Sequence, residues 1–290
     1  MVDNALVRVL ITGSSTGIGE ACARWLDGHG HQVFAGVRRS VDAERLRAQG
    51  SERLQPITID VTDPTSISEA RAKTEQAVGD EGLDGLVNNA GIAVAAPLEY
   101  VPIEEFRRQL EVNVTGQIAV TQAFLPMLRR AHGRIVFMGS IGGRMSVPFL
   151  APYCASKFAL EAVADALRVE LQPWGMHVAL IEPGSIATPI WEKSGGEADV
   201  MRTKLPSSVM EHYGEAITAM RRAAAETGRR GIPAEHVARA VEHALTTATP
   251  RTRYIVGKDA RIRAALAAFI PDRLRDRLVT GAMKLPGPRK

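Results

Sequence analysis

The stretch Thr12-Gly13-Ser14-Ser15-Thr16-Gly17-Ile18-Gly19 decides how this 290-residue chain is read. An apolar run, Leu6 to Thr12, leads into it, and Ala21, Trp25 and Leu26 follow at helical spacing. Glycines at 13, 17 and 19 permit a tight turn and let backbone N–H groups approach a pyrophosphate. The helix that follows presents its positive N-terminal end to that anion. A glycine-rich turn alone often does no more than end a strand. Placed between a first strand and a first helix, it points to a dinucleotide site.

Outward from this turn the same alternation continues. Short apolar, β-branched runs occur at Gln32 to Val37, Leu54 to Asp60, Gly85 to Asn88, Arg134 to Gly139, His177 to Glu182 and Thr252 to Val256. They are nearly continuous in hydrophobicity, as strands covered on both faces must be. Between them lie helical patterns such as Leu160, Val163, Ala164 and Leu167. Strands alternating with helices imply right-handed crossovers and a doubly wound parallel sheet of the α/β class. With no internal repeat and no low-complexity linker, one catalytic domain is expected over residues 1–257. Residues 190–232 read as an inserted substrate lid. Residues 258–290 read as a C-terminal extension, two short amphipathic helices parted by Pro271.

Charge supports this division. The chain has 36 Lys and Arg against 32 Asp and Glu, yet residues 258–290 alone contain nine basic and three acidic ones. The body is thus slightly acidic, which argues against a nucleic-acid partner. No apolar run approaches the ~20 residues that span a bilayer, and the N-terminus lacks a signal-peptide pattern. Cys22 and Cys154 are too few for a disulfide framework and fit a cytoplasmic location. The seven histidines show no ligand spacing, so no metal is expected.

Two further features concern chemistry. The second strand ends Gly36-Val37-Arg38-Arg39, with no acidic residue to bond a ribose 2′-OH and with Arg38 suited to a 2′-phosphate. NADP is therefore expected over NAD. Tyr153 and Lys157 lie four residues apart in a helical segment, on one face and one turn apart. A nearby ammonium is expected to pull the phenol down from its usual pKa near 10. Ser140 stands thirteen residues earlier at the end of a strand, where its hydroxyl can reach a substrate carbonyl.

The Thr-Gly-x-x-x-Gly-Ile-Gly turn, with Tyr153-x-x-x-Lys157, resembles the short-chain dehydrogenase/reductase family, and the resemblance runs to about Gly257. It implies a Rossmann fold and a catalytic set of Asn113, Ser140, Tyr153 and Lys157. Asn113 would act through its backbone on a water that contacts the lysine, and Lys157 would bond the nicotinamide ribose. The implied cofactor contacts are Gly13, Ser15, Gly17, Ile18, Gly19, Arg38, Asp60, Val61, Asn89, Ala90, Gly91, Pro183, Gly184 and Thr188, with Tyr153 and Lys157. Homodimers or homotetramers are common in the family.

Pro250-Arg251-Thr252-Arg253-Tyr254 followed by Val-Gly is similar to the retinol and 17β-hydroxysteroid dehydrogenase-like branch. The apolar residues Trp191, Met201, Leu205, Val209, Met210, Tyr213, Ile217 and Met220 in the lid fit a hydrophobic alcohol or its ketone or aldehyde, steroid-, retinoid- or lipid-like. Two alternatives share the motifs. One is a 3-oxoacyl-[acyl-carrier-protein] reductase, usually shorter and without such a tail. The other is a non-catalytic NADP-sensing regulator, expected to have lost the Tyr or the Lys. Stripes formed by Ile262, Ala265, Leu266 and Phe269, and by Leu274, Leu278, Ala282 and Leu285, are flanked by arginines. They fit docking on the body or on a partner subunit, with peripheral contact to an anionic membrane as the alternative.

Overall fold

A computed structural model describes residues 6–188 and 206–287. Seven strands form one sheet: β1 (Arg8–Ile11), β2 (Gln32–Val37), β3 (Leu54–Thr58), β4 (Gly85–Asn88), β5 (Arg134–Met138), β6 (His177–Pro183) and β7 (Arg253–Val256). Their order is β3-β2-β1-β4-β5-β6-β7, and all pairings are parallel. The seven expected runs thus become the seven strands: β2 and β4 keep the expected bounds, β6 runs on to Pro183, and β1, β3, β5 and β7 are one to three residues shorter.

The connecting helices are α1 (Gly17–Gly28), α2 (Ser40–Gln49), α3 (Pro64–Val78), α4 (Ile103–Leu110), α5 (Gly116–Arg130), α6 (Ala151–Glu170), α7 (Ser208–Arg229) and α8 (Glu235–Thr246). After β7 come α9 (Lys258–Phe269) and α10 (Asp272–Met283). Side chains alternate across the pleat and build two cores. Val9, Ile11, Val33, Ala35, Val136 and Ile181 face α1 and α8, where Cys22, Leu26, Val237 and Val241 meet them. Leu10, Phe34, Leu86, Ile135, Phe137 and Leu180 face α3, α5 and α6, packing on Ile67, Phe124, Leu128 and Leu160. Burying both faces is why the strands carry unbroken apolar runs.

The strand order reverses direction beside β1: the chain moves outward to β2 and β3, then crosses back to β4 on the other side. That leaves an open crevice beyond the carboxyl ends of β1 and β4, the place where such sheets take ligands. Most of the expected lid is the long helix α7. Trp191, Met201 and Leu205 lie outside the described residues.

Candidate active site

The glycine turn is held from the β4 side. The Thr12 hydroxyl oxygen accepts the N–H groups of Asn89 and Ala90, each at 3.0 Å. The Asn89 side-chain amide donates back to the carbonyls of Thr12 and Gly13, at 2.9 and 3.1 Å. Gly13 adopts φ +68°, and a Cβ there would stand 2.8 Å from Ala90 Cα. At Gly19 a Cβ would run into the Gly13 carbonyl and the Asn89 amide. Only glycine permits this closeness. No side-chain cap closes the N-terminus of α1 at Thr16, and the first turn of the helix offers its N–H groups and positive end to an anion.

The two arginines after β2 separate in space. Arg39 is taken by Asp42, through bonds of 2.8 and 3.0 Å. Arg38 lines a cavity of about 300 Å³ that also includes the glycine turn, Asp60 and Val61. Burial raises the Asp60 carboxyl, but the Thr62 N–H and hydroxyl and the Arg38 charge outweigh that and hold it below its ordinary value. Every residue expected at the cofactor or in catalysis lies on the wall of this one cavity, from Gly13 to Thr188. The helix end without a side-chain cap, the glycine cradle and Arg38 on the cavity wall fit a phosphorylated dinucleotide.

Deeper in, Asn113 sits in a π-helical turn, Glu111–Thr115, between α4 and α5. Its fully buried side chain is committed to structure: Oδ1 accepts the Ile92 N–H at 2.9 Å, and Nδ2 donates to the Ile92 carbonyl at 3.0 Å and to Ser156 Oγ at 3.1 Å. Ser156 passes the link on, donating to the Tyr153 carbonyl at 2.6 Å. Gln109 joins the same loop by accepting from the Val94 N–H at 2.7 Å and donating to the Ile92 carbonyl at 2.8 Å. The wide turn at Asn113 leaves the helix ladder out of register, the geometry in which π-bulges serve functional sites.

Tyr153 and Lys157 are both buried on α6. Lys157 Nζ donates to the Met138 carbonyl at 2.6 Å and lies 5.7 Å from the Tyr153 ring centre. Ser140 Oγ accepts the Gly142 N–H at 3.0 Å and also bonds the Tyr153 phenol. The charge expectation is corrected here. Burial pushes the Tyr153 phenol up to about 12, with only Ser140 opposing it. The same burial brings Lys157 down to about 8. Burial governs both groups: a phenol this deep loses hydration that its hydrogen bond with Ser140 does not make good, and a lysine brought down to about 8 carries little charge where the phenol would ionise. Tyr153 is thus a protonated donor at neutral pH. Cys154, beside it, is buried and its thiol is raised by that burial, as suits a packed side chain.

A second cavity, about 600 Å³ and almost wholly apolar, meets the first at Ser140, Tyr153 and Gly184. Met145, Phe149, Val209, Ile217 and Met220 contribute to its wall. So do Leu266, Leu278 and Met283 from α9 and α10, which makes the C-terminal helices part of the site. Asp259, at the start of α9, accepts the Ser185 N–H at 2.9 Å and the Ser185 hydroxyl at 2.8 Å. Fully buried Glu182 pairs with Arg144 at 2.5 Å, tying the turn after Ser140 to the strand that delivers Pro183-Gly184. Asp259, Glu182, Ser156 and Gln109 escape sequence reasoning, since each acts on a partner far away in the chain. For Asp259 the sequence offers one signal, an acidic residue in the first turn of α9.

Residues 7–198 match the family model described as short chain dehydrogenase. Retinol dehydrogenase 16 of Homo sapiens is 40% identical over 276 residues, 93% of this chain and 87% of the relative. 17-beta-hydroxysteroid dehydrogenase type 6 of Bos taurus is 39% identical over 283 residues, 96% of this chain and 89% of the relative. A short chain dehydrogenase from Burkholderia cenocepacia J2315, solved in complex with NADP, superposes with a TM-score of 0.73 at 26% identity, covering 94% of this chain and 97% of that one. Sheet order, glycine turn and sequence likeness converge: the chain belongs to the short-chain dehydrogenase family, in the branch of the retinol and 17-beta-hydroxysteroid dehydrogenases.

Proposed function

We propose that this protein is an NADP(H)-dependent oxidoreductase that interconverts a bulky hydrophobic alcohol and its ketone or aldehyde, with Tyr153 as the acid and base. The observation that carries the reading is the junction of the two cavities at Ser140, Tyr153 and Gly184. A polar, arginine-bearing cleft on one side and an apolar chamber on the other meet at a serine and a protonated phenol.

The first-turn N–H groups of α1 and the turn from Gly13 to Gly19 would hold the pyrophosphate, Arg38 the 2′-phosphate, and Asp60-Val61 the adenine. Asn89 to Gly91, Pro183-Gly184 and Thr188 would border the nicotinamide, and Lys157 would bond its ribose. The bound cofactor supplies or accepts the hydride at the substrate carbon. In reduction Ser140 donates a hydrogen bond to the carbonyl oxygen and Tyr153 gives its proton to that oxygen, so the carbonyl becomes the hydroxyl. In oxidation Tyr153 takes the hydroxyl proton back. Asn113 holds the Ile92 loop and, through Ser156, the backbone of Tyr153.

The uncovered apolar residues Ile262 and Phe269, with the arginines around them, support peripheral contact with an anionic membrane surface. Among the described residues no helix is long and apolar enough to cross a membrane.

The test is NADPH-coupled turnover across hydrophobic ketones, aldehydes and alcohols. Tyr153→Phe is expected to lower kcat by ~10²–10⁴-fold, the usual worth of general acid–base catalysis, while NADPH still binds. Wild-type turnover in that variant, or activity confined to small hydrophilic sugars, refutes the proposal.

A further inference from the structure

Two guanidinium groups stand on the wall of the apolar chamber, and one of them, Arg263, is the charge that the wall does not account for. Among the described residues on its wall, the formal charges are Arg221 on α7 and Arg263 on α9, and no carboxylate lines it. Arg221 stands in register with Ile217 and Ala224, one helical turn from each, on the face that α7 turns to the chamber. Arg263 stands in register with Leu266 in the same way. Its position is fixed from both ends: Ala260 and Ala264 are buried against Ile141, the residue after Ser140, and Asp259 anchors the start of α9 at Ser185. Arg263 is half-buried and has no ion pair within 4 Å among the described residues. The carboxylate of Asp259, one turn away, feels the Arg263 charge, but its hydrogen bonds go to the Ser185 N–H and hydroxyl and to no guanidinium.

A guanidinium in a mostly apolar chamber is costly unless something pairs with it. Guanidinium is also the group best matched to a planar anion. We infer that the substrate is an amphiphile: an oxo or hydroxy compound whose apolar body fills the chamber and whose anionic group, a carboxylate or sulfonate, is received by Arg263, with Arg221 a second cation on the wall of the same chamber. This rests on the oxidoreductase reading above and narrows its substrate class. The reacting carbon lies against Ser140 and Tyr153. The anion lies toward α9, about one helical turn, ~6 Å along the surface, beyond the Asp259–Ser185 anchor. The competing account is that the arginine stems only cover apolar wall and send their heads to water.

A positional series of oxo-octadecanoates, their methyl esters and the matching oxo-alkanesulfonates, assayed with NADPH, separates the two. Wild-type protein is expected to favour the anions over the esters in kcat/KM by roughly tenfold or more, the factor of one charge-assisted hydrogen bond. A preference for carboxylate over sulfonate, or the reverse, names the head group. Arg263→Met keeps the stem and removes the charge; it is expected to shrink the anion-to-ester ratio several-fold, mainly through KM, and Arg263→Lys to restore part of it. Raised salt is expected to lower the ratio as well. A ratio near one in the wild type, or a ratio unmoved by both Arg263→Met and Arg221→Met, overturns the inference. If no member of the series consumes NADPH, the oxidoreductase reading fails for this class. The dissociation constants of anion and ester for the NADPH-loaded protein then decide the inference: tighter anion binding upholds it, equal binding overturns it.

Discussion

The carboxylate of Asp259 accepts both the N–H and the hydroxyl of Ser185, at 2.9 and 2.8 Å, and so joins the first turn of α9 to the loop that follows Pro183-Gly184. One side chain thereby serves two walls: the Pro183-Gly184 side of the cleft and the helical wall of the apolar chamber. Asp259→Ala leaves the Ser185 N–H without its partner and α9 without its acidic first turn. The expected loss is about 1–3 kcal/mol of stability, with KM rising for cofactor and substrate together. Burial raises the Asp259 carboxyl, but Ser185, the Ala260 N–H and Arg263 outweigh it, so its folded pKa lies below 3.8. The stabilisation is therefore present above pH 3.8 and fades as pH falls through the folded value. Urea midpoints at pH 7 and pH 3 check this: the gap between wild type and Asp259→Ala should narrow at the lower pH. An equal gap at both would remove the carboxylate from the account.

Lys157 gives a pH signature of the opposite sense. Its folded pKa is about 8 against 10.5 for the exposed group. Below pH 8 the buried ammonium is a constant penalty. Between 8 and 10.5 the unfolded chain holds more protons, so stability from this group rises with pH. From pH 7 to 9.5 the rise is about 2 kcal/mol. Lys157→Met should lose that rise along with turnover. Denaturant titrations of both proteins at the two pH values measure the difference, and parallel pH profiles would refute it. Tyr153 works against Lys157 only at higher pH: with its phenol at about 12, its share is lost between pH 10 and 12.

The neighbours Arg38 and Arg39 make a paired test of cofactor choice. Arg38 lines the cleft, whereas Arg39 is bound to Asp42. Arg38→Leu should raise KM for NADPH by roughly 10–100-fold, the cost of one charged hydrogen bond to phosphate, and move NADH far less. Arg39→Leu should change the NADPH to NADH ratio little. Steady-state kinetics with both cofactors decide it; an NADPH preference that survives Arg38→Leu and collapses in Arg39→Leu would reverse the assignment.

That pair also shows what a sequence can carry. From the dipeptide, Arg38 was the expected phosphate partner, and the turn after β2 adds that its neighbour Arg39 is bonded to Asp42. The strands and the glycine turn were legible because their pattern is local: unbroken apolar runs, a glycine needing positive φ, a helix start. Ser140, Tyr153 and Gly184 were named from motif order, but that two cavities meet at them was not legible. The π-helical turn at Asn113, the Asp259–Ser185 anchor and the pKa of Tyr153 were not legible. Each is set by the burial and partners of groups far apart in the chain, Asn113 by Ile92 and Ser156, Asp259 by Ser185. For the tail, helical spacing gave the apolar stripes but no partner for them. Leu266 and Leu278 proved to face the chamber, while Phe269 and Ile262 stayed outside.

Those outward residues set the last test. Phe269 is 85% exposed and Ile262 61%, on α9, while Leu274 on α10 is 47% exposed. Apolar side chains exposed among arginines fit insertion at an anionic lipid surface, with each buried side chain adding about 1.5–3 kcal/mol. The full-length protein should co-sediment with phosphatidylserine-containing liposomes and less with phosphatidylcholine ones. Replacing Ile262, Phe269 and Leu274 by Ser should release it, because none of the three builds the chamber wall. Light scattering of the same proteins separates the other way of covering this face: a dimer that falls to monomer in the triple variant, with no liposome binding in either protein, assigns the surface to a second copy and removes the membrane from the proposal.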